Sequence, residues 1–227
     1  MEYLSTRNDK ISEKFEHIFI KGLSDDGGLF LPKQIKKLSD KEFLNLRNLS
    51  YVDLATEIIS RFTGDFCSNE KLHQIVKKSY STFNEHNVVK IKKVEDLHVL
   101  ELFHGPTLAF KDVAMQLIGN FYEYYLSKNT KKINIIVATS GDTGAAAIDA
   151  VKGKKNINIF VLHPNNRISP VQRMLMTTNP SKNVFNIAVE GNFDDCQKLV
   201  KEMFSDNEFY KSINMSGVNS INWARIV

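Results

Sequence analysis

Lys111 lies in the stretch of sequence best suited to chemistry, E-L-F-H-G-P-T-L-A-F-K-D at residues 101–112. It precedes a predicted helix over 112–126, and because a helix N-terminus favours anions, a lysine there indicates a compensating group nearby. The apolar neighbours that we expect to desolvate it are Phe103, Leu108 and Phe110. Desolvation favours the neutral amine, which is a nucleophile toward an aldehyde. The alternative is an exposed lysine that only begins a helix.

The second such stretch, A-T-S-G-D-T-G, joins a predicted strand directly to a predicted helix. Glycine lets the backbone approach a ligand, and the N–H groups that open the helix favour a carboxylate or a phosphate. The residues of this predicted anion site are Thr139, Ser140, Gly141 and Thr143. Asp142 is discordant, because a carboxylate repels an anion unless it faces a hydroxyl or a cation. The alternative is a turn whose side chains only cap the helix.

Composition narrows the classes of function. The 227 residues carry 30 basic and 26 acidic side chains, and these are too evenly mixed to predict a nucleic-acid surface. No apolar run is long enough for a membrane span, and the six histidines show no metal-binding spacing. The mixed charge favours a small-molecule or protein partner instead, and two distant cysteines and a polar N-terminus favour a reducing cytoplasm. Cys196, near a predicted helix start, is expected to be buried as a small apolar residue.

The elements that must position these residues divide the chain into two predicted regions. Residues 1–100 are predicted to be α+β and mostly helical, with helices near 54–62 and 72–80. Two short apolar runs, 88–91 and 99–102, are predicted to be paired strands.

Residues 101–227 alternate between strands and helices. Strands are predicted at 134–138, 157–162 and 184–189, and an alanine-rich helix at 144–151. This spacing predicts an open, twisted and mostly parallel sheet, which binds ligands beyond the carboxyl ends of its strands.

The end of the sequence is unusual. Asn219 and Ser220 resemble an N-cap, and 221–227 is typical of a helix that has scarcely begun. We therefore expect a fragment of a longer chain.

Residues 101–112 and the stretch A-T-S-G-D-T-G together resemble the threonine synthase family. Its members are pyridoxal-phosphate enzymes of the tryptophan-synthase-β-like fold (PLP fold type II). Further segments resemble the long type of this family: G-L-S-D-D-G-G-L-F-L-P at 22–32, S-P-V-Q-R at 169–173 and N-S-I-N at 219–222. The resemblance covers all 227 residues but only about the N-terminal half of the family's length.

The resemblance implies a role for each matching residue. It implies that Lys111 bonds covalently to pyridoxal 5′-phosphate and later moves protons at the substrate's carbons. Asp142 occupies a position near the cofactor's 3-hydroxyl. The residues implied to bind the substrate's α-carboxylate are Thr139, Ser140, Gly141 and Thr143. Those implied to receive its phosphate are Asn219, Ser220 and Arg225.

The reaction implied is that of a carbon–oxygen lyase, which converts O-phospho-L-homoserine and water to L-threonine and phosphate in the last step of threonine biosynthesis. The family's later Gly-Asn-Phe-Gly loop, which cradles the cofactor phosphate, is absent from the sequence, so a complete pocket is predicted only for the parent protein. Two alternatives remain open: another PLP fold type II enzyme, such as a dehydratase or a β-replacement enzyme, and a non-catalytic fragment. A monomer and a homodimer are equally compatible with the pattern.

Overall fold

A computed structural model describes residues 1–226, and these form nine strands and ten helices. The first elements are β1 (Glu2–Ser5), β2 (Ser12–Lys14), α1 (Phe15–Lys21), β3 (Phe30–Pro32), α2 (Asp40–Leu46), α3 (Tyr51–Thr63), α4 (Asn69–Tyr80), β4 (Lys90–Val94) and β5 (Leu97–Glu101). The later elements are α5 (Lys111–Ser127), β6 (Ile133–Ala138), α6 (Asp142–Val151), β7 (Ile157–Pro164), α7 (Pro170–Thr177), β8 (Val184–Val189), α8 (Phe193–Ser205), α9 (Asn207–Ser212), β9 (Met215–Ser216) and α10 (Trp223–Ile226). No helix among the described residues is long and apolar enough to cross a membrane.

Serine caps set the starts of the helices in the first region. The side chains of Ser50 and Ser68 accept hydrogen bonds from the N–H groups three residues later, each at 3.2 Å. The predicted helices over 54–62 and 72–80 are present as α3 and α4. Both begin earlier than predicted, because the cap rather than the apolar spacing fixes the first turn.

Aromatic side chains form the core between the first region and α5. Ring centroids lie 5.4 Å apart for Phe19 and Phe66 and 5.4 Å apart for Phe66 and Phe121. Edge-to-face pairs at this distance stabilise the fold beyond the area that they bury. The two predicted regions therefore share one core, and their division at residue 100 remains a prediction.

The predicted parallel sheet is present, with strand order β8-β7-β6-β9 and parallel pairing throughout. Alternate residues of β6 face opposite layers: Ile135 lies in the main core, and Ile136 packs with Cys196 of α8. Cys196 is fully buried, as expected. The strand β9 has only two residues and was not predicted, since so short a segment shows no alternation.

Strands β4 and β5 form the predicted antiparallel hairpin, in which Ile91 pairs with Leu100. The strands begin and end about two residues from the predicted runs. Most of the hairpin is exposed, including Ile91 and Leu97. Directly after it, a loop leads to α5 and therefore to Lys111.

Segment 215–225 threads between the first region and α5. The hydroxyls of Tyr122 and Ser216 are 2.7 Å apart, and the Ser216 hydroxyl donates to Ile20 O at 2.7 Å. Further along, Asn222 Nδ2 donates to Phe19 O at 2.6 Å. The end of the described chain is thereby fixed against its beginning.

The predicted N-cap at Asn219 and Ser220 is wrong. Helix α10 begins at Trp223, where Asn222 Oδ1 accepts from Ala224 N at 3.0 Å. Asn219 instead closes a turn, since its side chain accepts from Ile221 N. The part of the predicted helix that falls on residue 227 lies outside the described residues.

Candidate active site

Lys111 begins α5 and points toward the start of α6. Its Nζ lies 3.4 Å from Oδ2 of Asp142 and 4.2 Å from the centroid of the Phe110 ring. The side chain is 17% exposed, so the alternative of a simply exposed lysine is wrong.

The predicted apolar enclosure of Lys111 is only partly present. The Phe110 ring packs on Lys111 Nζ, but Phe103, Leu108 and Phe110 are each more than half exposed. Leu108 takes a left-handed conformation in the loop after β5, with φ 60°. Of the three predicted neighbours, Phe110 contacts the Lys111 amine.

Asp112, the second residue of α5, binds the turn that precedes the helix. It is fully buried, and its carboxylate accepts from Thr107 N at 2.8 Å and from the Thr107 hydroxyl at 2.6 Å. Burial raises the pKa of Asp112, and the hydrogen bonds from Thr107 oppose that shift. Gly105 has no room for a side chain, since a Cβ there would lie 2.4 Å from the Asp112 Cβ. The turn before Lys111 is thus built around this carboxylate.

Thr139 organises the loop before α6. It is buried, and its hydroxyl oxygen accepts from Gly141 N and from Gly144 N, each at 3.0 Å. Only its hydroxyl proton is left to donate to a ligand. Ser140 is exposed and Thr143 is partly exposed, so their hydroxyls are accessible at the helix start. A role for these residues in binding a carboxylate remains a prediction.

Asp142 faces a cation, so its negative charge no longer conflicts with a predicted anion site beside it. One oxygen lies near Lys111, and the other accepts from Gln172 Nε2 at 2.7 Å. The sequence predicts no role for Gln172, although this residue is the glutamine of S-P-V-Q-R, one of the segments that carry the family resemblance. Ser169 caps α7 and Pro170 begins it, which places Gln172 in the first helical turn.

Arg225 shares a cavity of about 410 Å³ with Lys111. Apolar side chains of α3 and α5 form most of its wall. Arg225 donates to Val218 O at 2.9 Å and forms no ion pair with any residue of 1–226. Burial lowers the pKa of the Arg225 guanidinium, as expected for a cation that lacks a counter-charge. Asn219 and Ser220 lie in the exposed turn before α10 and do not line this cavity.

His104 stands beside the lysine loop and has a structural partner. Its Nε2 lies 3.0 Å from Oε2 of Glu101, whose other oxygen lies 2.8 Å from Lys92 Nζ. The hydrogen bond from Lys92 lowers the pKa of Glu101. His104 is therefore held within the base of the hairpin.

The chain is similar to known proteins over its whole length. Residues 2–80 match the family model described as threonine synthase N terminus. The threonine synthase of Eremothecium gossypii is 44% identical over 99% of this chain and 47% of its own length, and that of Schizosaccharomyces pombe is 45% identical over 100% and 46%. The crystal structure of PLP-bound threonine synthase from Brucella melitensis is similar with a TM-score of 0.92 and 46% identity, over 100% of this chain and 49% of that one. The chain spans about half the length of the relatives that it matches.

Proposed function

Since this chain belongs to the threonine synthase family over the N-terminal half of that family's length, we propose that it supplies the lysine-bearing half of a threonine synthase. The reaction converts O-phospho-L-homoserine and water to L-threonine and phosphate. The observation that carries the proposal is the pairing of Lys111 with Asp142 beside a cavity that also contains Arg225, which has no ion-pair partner within residues 1–226. This arrangement offers an amine for a carbonyl and a cation for an anionic substrate.

The residues at this position fit the aldehyde end of pyridoxal 5′-phosphate. Lys111 provides a primary amine with little exposure to water, and Asp142 provides a carboxylate for a hydroxyl of the cofactor. When bound, the cofactor withdraws electrons from the carbon atoms of an amino acid. We assign no cradle for its phosphate among residues 1–226, which agrees with a chain half as long as its relatives.

The substrate's two anionic groups are assigned to two ends of the site. Arg225 receives the phosphate, because a partly buried guanidinium that has no counter-charge among residues 1–226 is stabilised by a dianion. Asn219 and Ser220 are near Arg225 in sequence and are proposed to assist it. Lys111 moves protons at Cα and Cβ of the substrate.

The α-carboxylate is assigned to the start of α6. The hydroxyls of Ser140 and Thr143 are accessible there, and Gly141 brings the backbone close, although the N–H groups of Gly141 and Gly144 are already bonded to Thr139. Thr139 shapes this loop through its two accepted hydrogen bonds. The helix dipole adds to the attraction for a carboxylate.

Covalent trapping tests the role of Lys111. The chain is mixed with pyridoxal phosphate and reduced with borohydride, and the modified peptide is identified by mass spectrometry. We expect the adduct on Lys111 and its loss in Lys111→Arg. Lys128→Arg is the matched control, because Lys128 also stacks on an aromatic ring, with Nζ 4.1 Å from the Tyr124 centroid, but has no partner equivalent to Asp142. An adduct spread over surface lysines in wild type contradicts the proposal.

Arg225→Ala separates this function from other reactions of pyridoxal phosphate. We expect the parent protein with Arg225→Ala to retain the cofactor and lose activity on O-phosphohomoserine. Arg167→Ala, at an exposed arginine outside the cavity, serves as the control. Unchanged activity in Arg225→Ala favours a dehydratase or a β-replacement enzyme.

A cytoplasmic location is part of the proposal. Cys67 and Cys196 are both free thiols, which agrees with a reducing compartment. A small-molecule substrate follows from the family.

A further inference from the structure

Gln172 contacts the proposed site, yet the proposed function gives it no role. Its Nε2 donates to Oδ1 of Asp142 at 2.7 Å. The other carboxylate oxygen, Oδ2, lies 3.4 Å from Nζ of Lys111. The amide and the ammonium therefore contact opposite oxygens of one carboxylate.

Ser169 determines which way the Gln172 amide faces. The Ser169 hydroxyl donates to Oε1 of Gln172 at 3.2 Å and accepts from Gln172 N at 3.2 Å. An amide whose oxygen is engaged in this way presents its NH₂ group on the opposite side. Asp142 lies on that side, so the cap of α7 also orients the donor.

Two glycines of the α6 start hold α7 close to Asp142. At Gly141, with φ 145°, a Cβ would lie 2.3 Å from Cδ of Gln172. At Gly144, a Cβ would lie 2.6 Å from Sδ of Met176, which is fully buried. Because Met176 is one helical turn after Gln172, this anchor fixes the position of the Gln172 side chain.

We propose that Gln172 is a positioning residue that holds the Asp142 carboxylate in the orientation that faces Lys111. The Asp142 side chain is 46% exposed, so other staggered rotamers are open to it. A hydrogen bond donated to one of its charged oxygens removes that freedom. The consequence for catalysis rests on the proposed function, whereas the contact does not.

The test is the rate at which formaldehyde and a mild hydride donor methylate Lys111 in the full chain, followed by peptide mass spectrometry without cofactor. The carboxylate of Asp142 lies 3.4 Å from Nζ of Lys111 and occupies one side of the amine, so an amine released from this pair is more accessible to the aldehyde. Gln172→Met removes the amide and keeps the length of the side chain. We expect methylation of Lys111 to become about two- to five-fold faster, the range for a half-exposed ion pair. Gln197→Met, the same substitution on α8, is the matched control and is expected to leave the rate unchanged.

A double variant shows whether Gln172 acts through Asp142. We expect Asp142→Asn to raise the rate at least as much as Gln172→Met, and the two changes together to add nothing further. Gln172→Ala repeats the test with another good helix former. An unchanged rate in folded Gln172→Met and Gln172→Ala, or full additivity in the double variant, overturns the proposal. Failure to trap pyridoxal phosphate on Lys111 contradicts the proposed function and leaves these outcomes unaffected.

Discussion

Two turns carry the candidate site, and each is closed by one of its own side chains. In the lysine turn, residues 105–112, the Asp112 carboxylate accepts from the backbone and the hydroxyl of Thr107. In the glycine turn, residues 139–144, the Thr139 hydroxyl accepts from two backbone N–H groups. Each turn also contains a glycine whose Cβ would overlap the accepting side chain, at 2.4 Å for Gly105 and 2.6 Å for Gly144.

The two turns differ in the charge of the accepting group. The lysine turn buries a carboxylate under the start of α5, where the backbone and hydroxyl of Thr107 donate hydrogen bonds to it. The glycine turn buries a neutral hydroxyl and leaves its charged residue, Asp142, at the surface. The buried acceptor shapes each turn, and the two charged residues that remain meet between the turns. Because Asp112 and Thr139 accept the backbone hydrogen bonds of the two turns, Lys111 and Asp142 remain available for chemistry.

The largest expected effect comes from filling the lysine turn with Gly105→Ala. The added methyl meets the Cβ of Asp112, which is fixed by the backbone and cannot move aside. We expect a loss of about 3 kcal/mol in the free energy of unfolding, measured by urea denaturation. Gly144→Ala should cost less, because part of its overlap is with the flexible end of Met176. Equal losses in both variants would show that the two turns are equally rigid.

A smaller effect is expected when the glycine turn loses its acceptor in Thr139→Val. The volume is nearly conserved, but Gly141 N and Gly144 N lose their shared partner. The expected loss is about 1–2 kcal/mol in the free energy of unfolding, and Thr139→Ser should recover most of it. Thr177→Val, at an exposed threonine, is the control. Wild-type stability in Thr139→Val would mean that water replaces the hydroxyl and that the turn is open.

The smallest expected effect concerns the charge of Asp112 and depends on pH. Burial raises its pKa above the ordinary value of 3.8, so the folded protein binds the proton more tightly than the unfolded chain. The stability that this proton contributes is fully present below pH 3.8 and is lost as the pH rises through the raised pKa. Asp112→Asn remains neutral throughout. We therefore expect wild type to gain up to about 1 kcal/mol relative to Asp112→Asn between about pH 7 and pH 4, measured by denaturation of both proteins.

Because every other carboxylate is common to both proteins, its titration cancels in this difference. A difference that stays constant with pH would show that Asp112 ionises as freely in the folded state as in the unfolded chain. A difference of opposite sign would show that its hydrogen bonds from Thr107 outweigh its burial.

Local sequence patterns predicted the elements but not the contacts between them. The strands β6, β7 and β8 follow from apolar runs, and α3 and α4 follow from helical spacing. Both halves of the Lys111–Asp142 pair were singled out from their own segments. Their contact joins residues 31 positions apart, and it depends on how α5 packs on α6.

The parts that escaped prediction depend on tertiary structure. Gln172 is an ordinary helix residue in the sequence, and its role arises only where α7 crosses Gly141. Phe103 and Leu108 were expected to enclose Lys111 together with Phe110, but both are exposed, because apolar type does not determine which side of a loop a residue faces. Asn222, and not Asn219, caps the start of α10. Its side chain also donates to Phe19 O, a contact that the local sequence does not show.

The bonds that tie segment 215–225 to α1 can form only after nearly all of residues 1–226 have been synthesised. Ser216 bonds to a residue 196 positions earlier and Asn222 to one 203 positions earlier. A ribosome releases the N-terminus first. The carbonyls of Phe19 and Ile20 therefore lack these partners until nearly the whole described chain has been synthesised. Contacts of such long range slow folding, and the rings of Tyr3 and Phe62, which pack on Trp223, stay uncovered on that side during the interval.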